Sequence, residues 1–230
     1  MTLSPKRIGL IGGLALRAGV FYYEQLFERH RQKEQRLDLM LLHADVARVL
    51  DHVKVSDRAG LGSYIGTLAN QLFDGGADIV AVAAIAPHMA VTEFTTIVKG
   101  PVVNVLDSIA AGLKQRGLDR VAVFGNRAVI ESNIYGAIST ENAVQMKPSV
   151  VDAVHTIYND IALFGKQGTK DEVEFLESQA RQLFEEQGAQ AIILAGTDLS
   201  SFYANREPSY PFLDVAQLHI DQIMALATDE

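Results

Sequence analysis

Gly75-Gly76-Ala77-Asp78-Ile79-Val80-Ala81-Val82-Ala83-Ala84-Ile85-Ala86-Pro87-His88 is the stretch whose reading decides the fold. A glycine pair leads into an apolar run with no polar residue alternating through it, which is the pattern of a strand covered on both faces. A second stretch, Gly188-Ala189-Gln190-Ala191-Ile192-Ile193-Leu194-Ala195-Gly196-Thr197-Asp198-Leu199, has the same design. Further apolar runs lie at Ile8 to Ile11, Leu39 to His43, Val102 to Val105, Val121 to Phe124 and Pro211 to Leu213. Helical spacing fills the intervals Val20 to Gln32, Leu61 to Phe73, Asp107 to Arg116, Ile130 to Ile138, Asp152 to Phe164 and Val173 to Gln187. Strands alternating with helices predict an α/β fold whose sheets are mainly parallel.

The two stretches belong to a longer internal repeat. Ile11-Gly12-Gly13 matches Phe124-Gly125-Asn126 at an offset of 113, which also carries Tyr22 onto Tyr135, and Gly76-Ala77 matches Gly188-Ala189 at 112. Agreement of offsets across separate motifs predicts two pseudo-symmetric lobes, each a mainly parallel sheet flanked by helices. Residues 1–103 with 214–230 form the first and 104–213 the second. Ligands of parallel α/β sheets bind beyond the carboxyl ends of the strands, so a site is expected in the cleft between the lobes.

Composition narrows the partners. The chain has 230 residues, 48% of them hydrophobic, a net charge of −8 and no cysteine. That charge argues against general affinity for nucleic acid, which needs a basic face. The apolar runs fall far short of the roughly 20 residues of a membrane helix, and Met1 to Arg7 carries no signal-peptide pattern. A cytoplasmic protein with a small-molecule partner is expected.

Taken together, Ile8-Gly9-Leu10-Ile11-Gly12-Gly13-Leu14 with Phe21-Tyr22-Tyr23, Pro87-His88, Gly125-x-Arg127-x-x-x-Glu131-Ser132-x-x-Tyr135 and Gly196-Thr197-Asp198-Leu199 resemble the aspartate/glutamate racemase superfamily over nearly the whole chain. The resemblance implies two α/β lobes, no cofactor, an amino acid or small carboxylate as ligand, and a homodimer. It also implies a pair of opposed cysteines, one taking the α-proton and the other returning it. The first cysteine motif, resembling C-N-T-x-H, falls on Ala84-Ile85-Ala86-Pro87-His88. The second, resembling G-C-T-E-L, falls on Ala195-Gly196-Thr197-Asp198-Leu199. Both thiols are gone, replaced by Ala84 and Gly196, and the Asn and Thr that resemble carboxylate binders are Ile85 and Ala86.

The remaining polar residues supply the candidates. His88 can act as a general acid or base, or can be a structural histidine at a strand-helix junction. Thr197 offers a hydroxyl and an amide to a carboxylate, or is a simple helix cap. Asp198 stands where the family has glutamate and either supports a site or complements a helix dipole. Gly12, Arg17, His43, Arg48, Ala84, Ile85, Asn126, Arg127 and Gly196 complete the expected ligand-binding set. Gly12 and Gly13 do not form a dinucleotide fingerprint, because G-x-G-x-x-G is absent. His155, His219 and Asp214 lack the spacing of a metal site. Three functions are consistent with this set: non-thiol acid-base chemistry such as isomerisation, elimination or decarboxylation; a catalytically inactive ligand-binding or regulatory protein; and racemisation by other bases.

Overall fold

The computed structural model describes residues 6–15, 17–203, 206 and 208–228. In chain order the first elements are β1 (Ile8–Gly12), α1 (Ala18–Gln32), β2 (Leu39–His43), α2 (Val46–Lys54), α3 (Arg58–Asp74), β3 (Ile79–Val82), a 3-10 turn (Ala86–Ala90), α4 (Val91–Thr95), β4 (Val102–Val103) and α5 (Val105–Arg116). Then come β5 (Val121–Gly125), α6 (Arg127–Glu131), α7 (Pro148–Phe164), α8 (Lys170–Gln187), β6 (Ala191–Ala195), α9 (Thr197–Tyr203), β7 (Phe212–Asp214) and α10 (Val215–Thr228). They divide into two compact units, Met1–Val105 with Gln217–Glu230, and Leu106–Ala216.

Unit 1 holds a sheet of order β2-β1-β3-β4 with every pair parallel. Every residue of β1 and β3 is buried, as an unbroken apolar run requires. At the sheet edge β2 departs from this, and its Leu41 is half exposed. The core on one side is Ile11, Leu61, Ile65, Leu68, Leu72, Val80, Val82 and Phe94, which packs α3 and the segment after β3 onto the strands.

Unit 2 holds a parallel sheet of order β5-β6-β7, with an isolated parallel bridge between Val121 and Ala143 at the place β2 takes in unit 1. The repeat is visible in register: Ile11 pairs with Val82 in unit 1, and the shifted positions Phe124 and Leu194 pair in unit 2. Each sheet is thus built on the same β-α-β frame.

Several boundaries differ from the sequence reading. The helix expected over Ile130 to Ile138 ends at Glu131, because Asn133, Ile134 and Tyr135 take φ of 49°, 54° and 53° before Gly136 at 84°. Left-handed backbone is costly for a β-branched residue, about 1 kcal/mol or more. Complete burial of Ile134 and hydrogen bonds from Ile134 N to Val129 O (2.8 Å) and from Tyr135 N to Ser132 Oγ (3.0 Å) offset that cost. The run expected to end at Val105 is shorter, since Val105 opens α5. Pro148 at the start of α7, where a missing N–H costs nothing, begins that helix four residues before Asp152. A capping box between Thr169 and Glu172 starts α8 ahead of Val173.

Candidate functional site

The chain leaves β3 through Ala83 and Ala84, the position where the resemblance puts the first thiol, into the 3-10 turn, which carries His88. His88 is fully buried. Its Nδ1 lies 2.9 Å from Ala84 O, and a carbonyl only accepts, so Nδ1 carries the proton and Nε2 is a lone pair. That Nε2 is buried without a hydrogen-bond partner. Burial, reinforced by the neighbouring His219, pushes the His88 pKa down to about 3. His219, on α10 as its position near the chain end suggests, has its ring centroid 6.2 Å away. Its Nε2 donates to Val103 O at 2.9 Å, so its Nδ1 accepts from the Tyr22 hydroxyl at 2.9 Å. Burial likewise lowers its pKa, to about 4. Both rings are therefore neutral at pH 7 and enclosed. Ile85 is buried in the same segment, and Pro87 follows within the turn.

The chain leaves β6 directly into Gly196 and α9, where the second thiol position lies. Gly196 is buried, and a Cβ built on it falls 2.5 Å from Cε2 and 2.9 Å from Oη of Tyr158 on α7. Real Cβ atoms do not approach that closely, so the ring of Tyr158 occupies space that any side chain at 196 needs. The phenol stands where a thiol of residue 196 would begin. Its pKa is raised, first by burial and then by the charge of Asp198 and by Tyr135. Tyr135, held by the left-handed run, buries its hydroxyl without a hydrogen-bond partner, and burial pushes its pKa up to about 12. Thr197 and Asp198 are themselves buried, and Ser200 donates to Asp214 Oδ1 at 2.8 Å. At neutral pH these phenols are hydrogen-bond donors and not bases.

The other expected residues lie in the βα turns. Gly13, at φ 78°, lies so close to His43 that a Cβ there would meet the imidazole Nδ1 at 2.5 Å; this joins the turn after β1, which ends at Gly12, to the end of β2. Arg17 is exposed at the start of α1. Arg48 lies over the Tyr64 ring at 4.2 Å, and the Tyr64 hydroxyl accepts from Asp45 N while Asp45 caps α2. Asn126 caps α6 through Val129 N at 3.0 Å. Arg127 pairs with Glu131 at 3.3 Å and with Asp152, and its amide donates to His155 Nδ1 at 3.2 Å. Asn126 and Arg127 thus have structural partners within unit 2. Among the described residues no group of His, Asp or Glu is arranged to hold a metal ion, and no helix is long and apolar enough to cross a membrane.

Spacing does not point to Tyr158, which is 38 positions from Gly196 and on another helix. The only sequence signal is indirect: a glycine replacing a side chain leaves room that a neighbour must fill. Tyr22 and Tyr135 are visible as repeat partners, but not their separate uses, one bonded to His219 and the other without a partner.

Two parallel α/β units of this topology define the racemase-like class of folds. A candidate Asp/Glu racemase from Yersinia pestis superposes with a TM-score of 0.83 at 19% identity, over 96% of this chain and 99% of the other. An aspartate racemase homologue from Pyrococcus horikoshii OT3 gives 0.80 at 22% identity, over 97% and 99%. Glutamate racemase from Francisella tularensis, in complex with D-glutamate, gives 0.67 at 17% identity, over 99% and 82%. These likenesses establish the fold. Residues 11–223 match the sequence profile of Asp/Glu/Hydantoin racemases, and the chain belongs to that family. It is a member without cysteine.

Proposed function

We propose that this protein binds a small amino acid or carboxylate at the carboxyl ends of its strands and does not racemise it. The observation that carries this reading is the Tyr158 ring packed against Gly196. Racemisation without a cofactor needs a base on each face of the α-carbon. At one thiol position the chain has a methyl group, Ala84. At the other it has a phenol whose raised pKa keeps it neutral. Such a group hydrogen-bonds a carboxylate well and removes a carbon-bound proton poorly. Thr197 and Asp198 stand beside it as further ligand contacts in this reading, which carries with it cofactor independence and a homodimer.

The test is α-proton exchange. L- and D-aspartate and L- and D-glutamate incubated in D2O should lose no α-proton signal beyond the protein-free control, while the acid that binds should raise the melting temperature. Exchange well above the control would overturn the reading.

A second reading, non-thiol acid-base chemistry such as isomerisation, elimination or decarboxylation, is favoured by one observation. The Nε2 lone pair of His88 is buried and has no partner, so it is available to any ligand that gains access. In that case turnover of a small acid should be detectable and should vanish in His88→Ala.

A further inference from the structure

Strand β2 is an edge of its sheet, and two hydrogen bonds fix which way its backbone groups point. Ile8 N donates to Asp38 O at 2.9 Å, and Ala44 N donates to Gly12 O at 2.8 Å. Successive residues of a strand turn their N–H and C=O to opposite sides, so Asp38, Met40, Leu42 and Ala44 face β1. Leu39, Leu41 and His43 turn theirs outward, where among the described residues no strand pairs with them.

The side chains alternate in step. Met40 and Leu42 pack against the core cluster that holds α3 onto the sheet. Leu39 and Leu41 lie on the α1 side. Leu39 shares a groove with Tyr23 and Phe27, and a Cβ built on Gly12 falls 3.3 Å from Gly19 Cα and 3.9 Å from Leu41 Cδ2. This face is apolar and open: Val20, Tyr23 and Phe27 are 58%, 47% and 51% exposed, and Leu41 is 50% exposed. Native sheets guard a free edge with lysine, proline or a bulge, and Leu39-Met40-Leu41-Leu42-His43, in regular register with β1, has none of these.

We propose that a second copy of this chain covers this surface, β2 pairing antiparallel with β2 about a two-fold axis through Leu41. The outward groups are self-complementary in that register. Leu41 exchanges N–H···O bonds with Leu41 of the other copy, and Leu39 does so with His43 of the other copy. An axis perpendicular to the sheet keeps both α1 helices on one face and antiparallel, so Val20, Tyr23 and Phe27 pack across it. Charge agrees with this. Arg17, Val20, Glu24 and Phe27 fall at i, i+3, i+7 and i+10 on one stripe, and the reversal brings exposed Arg17 toward exposed Glu24 of the other copy. The interface specifies the homodimer of the proposed function and rests on that part of it alone.

Because the chain has no cysteine, one introduced thiol reads the axis directly. A hydrogen-bonded antiparallel pair holds its Cα atoms about 5.5 Å apart, within reach of a disulfide. Leu41→Cys, oxidised with copper phenanthroline, should run as a covalent dimer on a non-reducing gel, whereas Phe164→Cys, at an exposed position of unit 2, should not. Sedimentation equilibrium of the native chain should give the mass of a dimer, and Leu41→Asp and Phe27→Asp should each weaken it about tenfold or more. The cross-link decides the matter even if a charged variant fails to fold. A native dimer that keeps its mass in both charged variants and does not cross-link through Leu41→Cys would overturn this interface and leave the homodimer standing. A native monomer would overturn both, without touching the reading of the ligand site, which α-proton exchange tests.

Discussion

The ends of β3 and β6 are the same place in two copies of one frame, and they lack a cysteine in opposite ways. After β3 the position became Ala84, amid Ile85, Ala86 and Pro87, and the polar group of that segment, His88, is sealed into the core against His219. After β6 the position is Gly196, and an aromatic ring from α7 occupies the space a side chain there would need. One end is apolar along its backbone. The other carries no side chain and is covered by a phenol. The difference teaches that the same absence takes two structural forms, each set by the groups packed beside the position.

Acid should break the comparison most strongly. His88 and His219 are neutral in the folded protein down to about pH 3 and 4, whereas in the unfolded chain they take up protons near pH 6.5. The unfolded state therefore binds more protons below pH 6.5, so their contribution is fully present above that pH and is lost as pH falls toward 4. The loss is on the order of 1 kcal/mol per pH unit for each ring. Hydrogen exchange at pH 4.5 should show the β3 amides opening before those of β6, and His88→Leu should flatten the acid limb of a urea-midpoint profile. Equal opening of both sheets would mean that the buried histidines do not distinguish them.

Restoring each thiol separately is the next test. Ala84→Cys adds one atom beyond an existing Cβ and should change stability by less than about 1 kcal/mol. Gly196→Cys drives a Cβ into the Tyr158 ring and should cost about 1–3 kcal/mol, as overpacking of a core does. Gly196→Cys with Tyr158→Gly should recover part of that loss by double-mutant cycle. Additive effects would show that the ring does not fill the thiol's place.

The smallest expected effect is that of Tyr158→Phe. The ring stays over Gly196, so stability should move by no more than about 1 kcal/mol. Affinity for the small acid that binds should fall severalfold, seen as a smaller ligand-induced rise in melting temperature.

Unbroken apolar runs make the sheets legible, because a strand buried on both faces needs no polar residue, and β1, β3, β5 and β6 are all buried along their length. The segment after β5 misleads because Ile130, Ile134 and Ile138 have helical spacing. The fold uses Ile134 instead in a left-handed turn that burial and hydrogen bonds sustain. The two vacancies can be located from the repeat. The group that fills the second cannot, since Tyr158 reaches Gly196 from a different helix and no periodicity links the two. The burial of His88 is equally hidden, because histidine at a strand-helix junction suits both an open site and a closed core.

The closeness of Tyr158 to Gly196 also bears on the routes by which this sequence can change. A cysteine, serine or any other side chain at position 196 has to displace the ring, so substitution there costs less after a change at 158. The two sites are coupled: the ring disfavours a side chain at the glycine, and a lineage carrying both residues regains one at this strand end at lower cost when the change at 158 comes first.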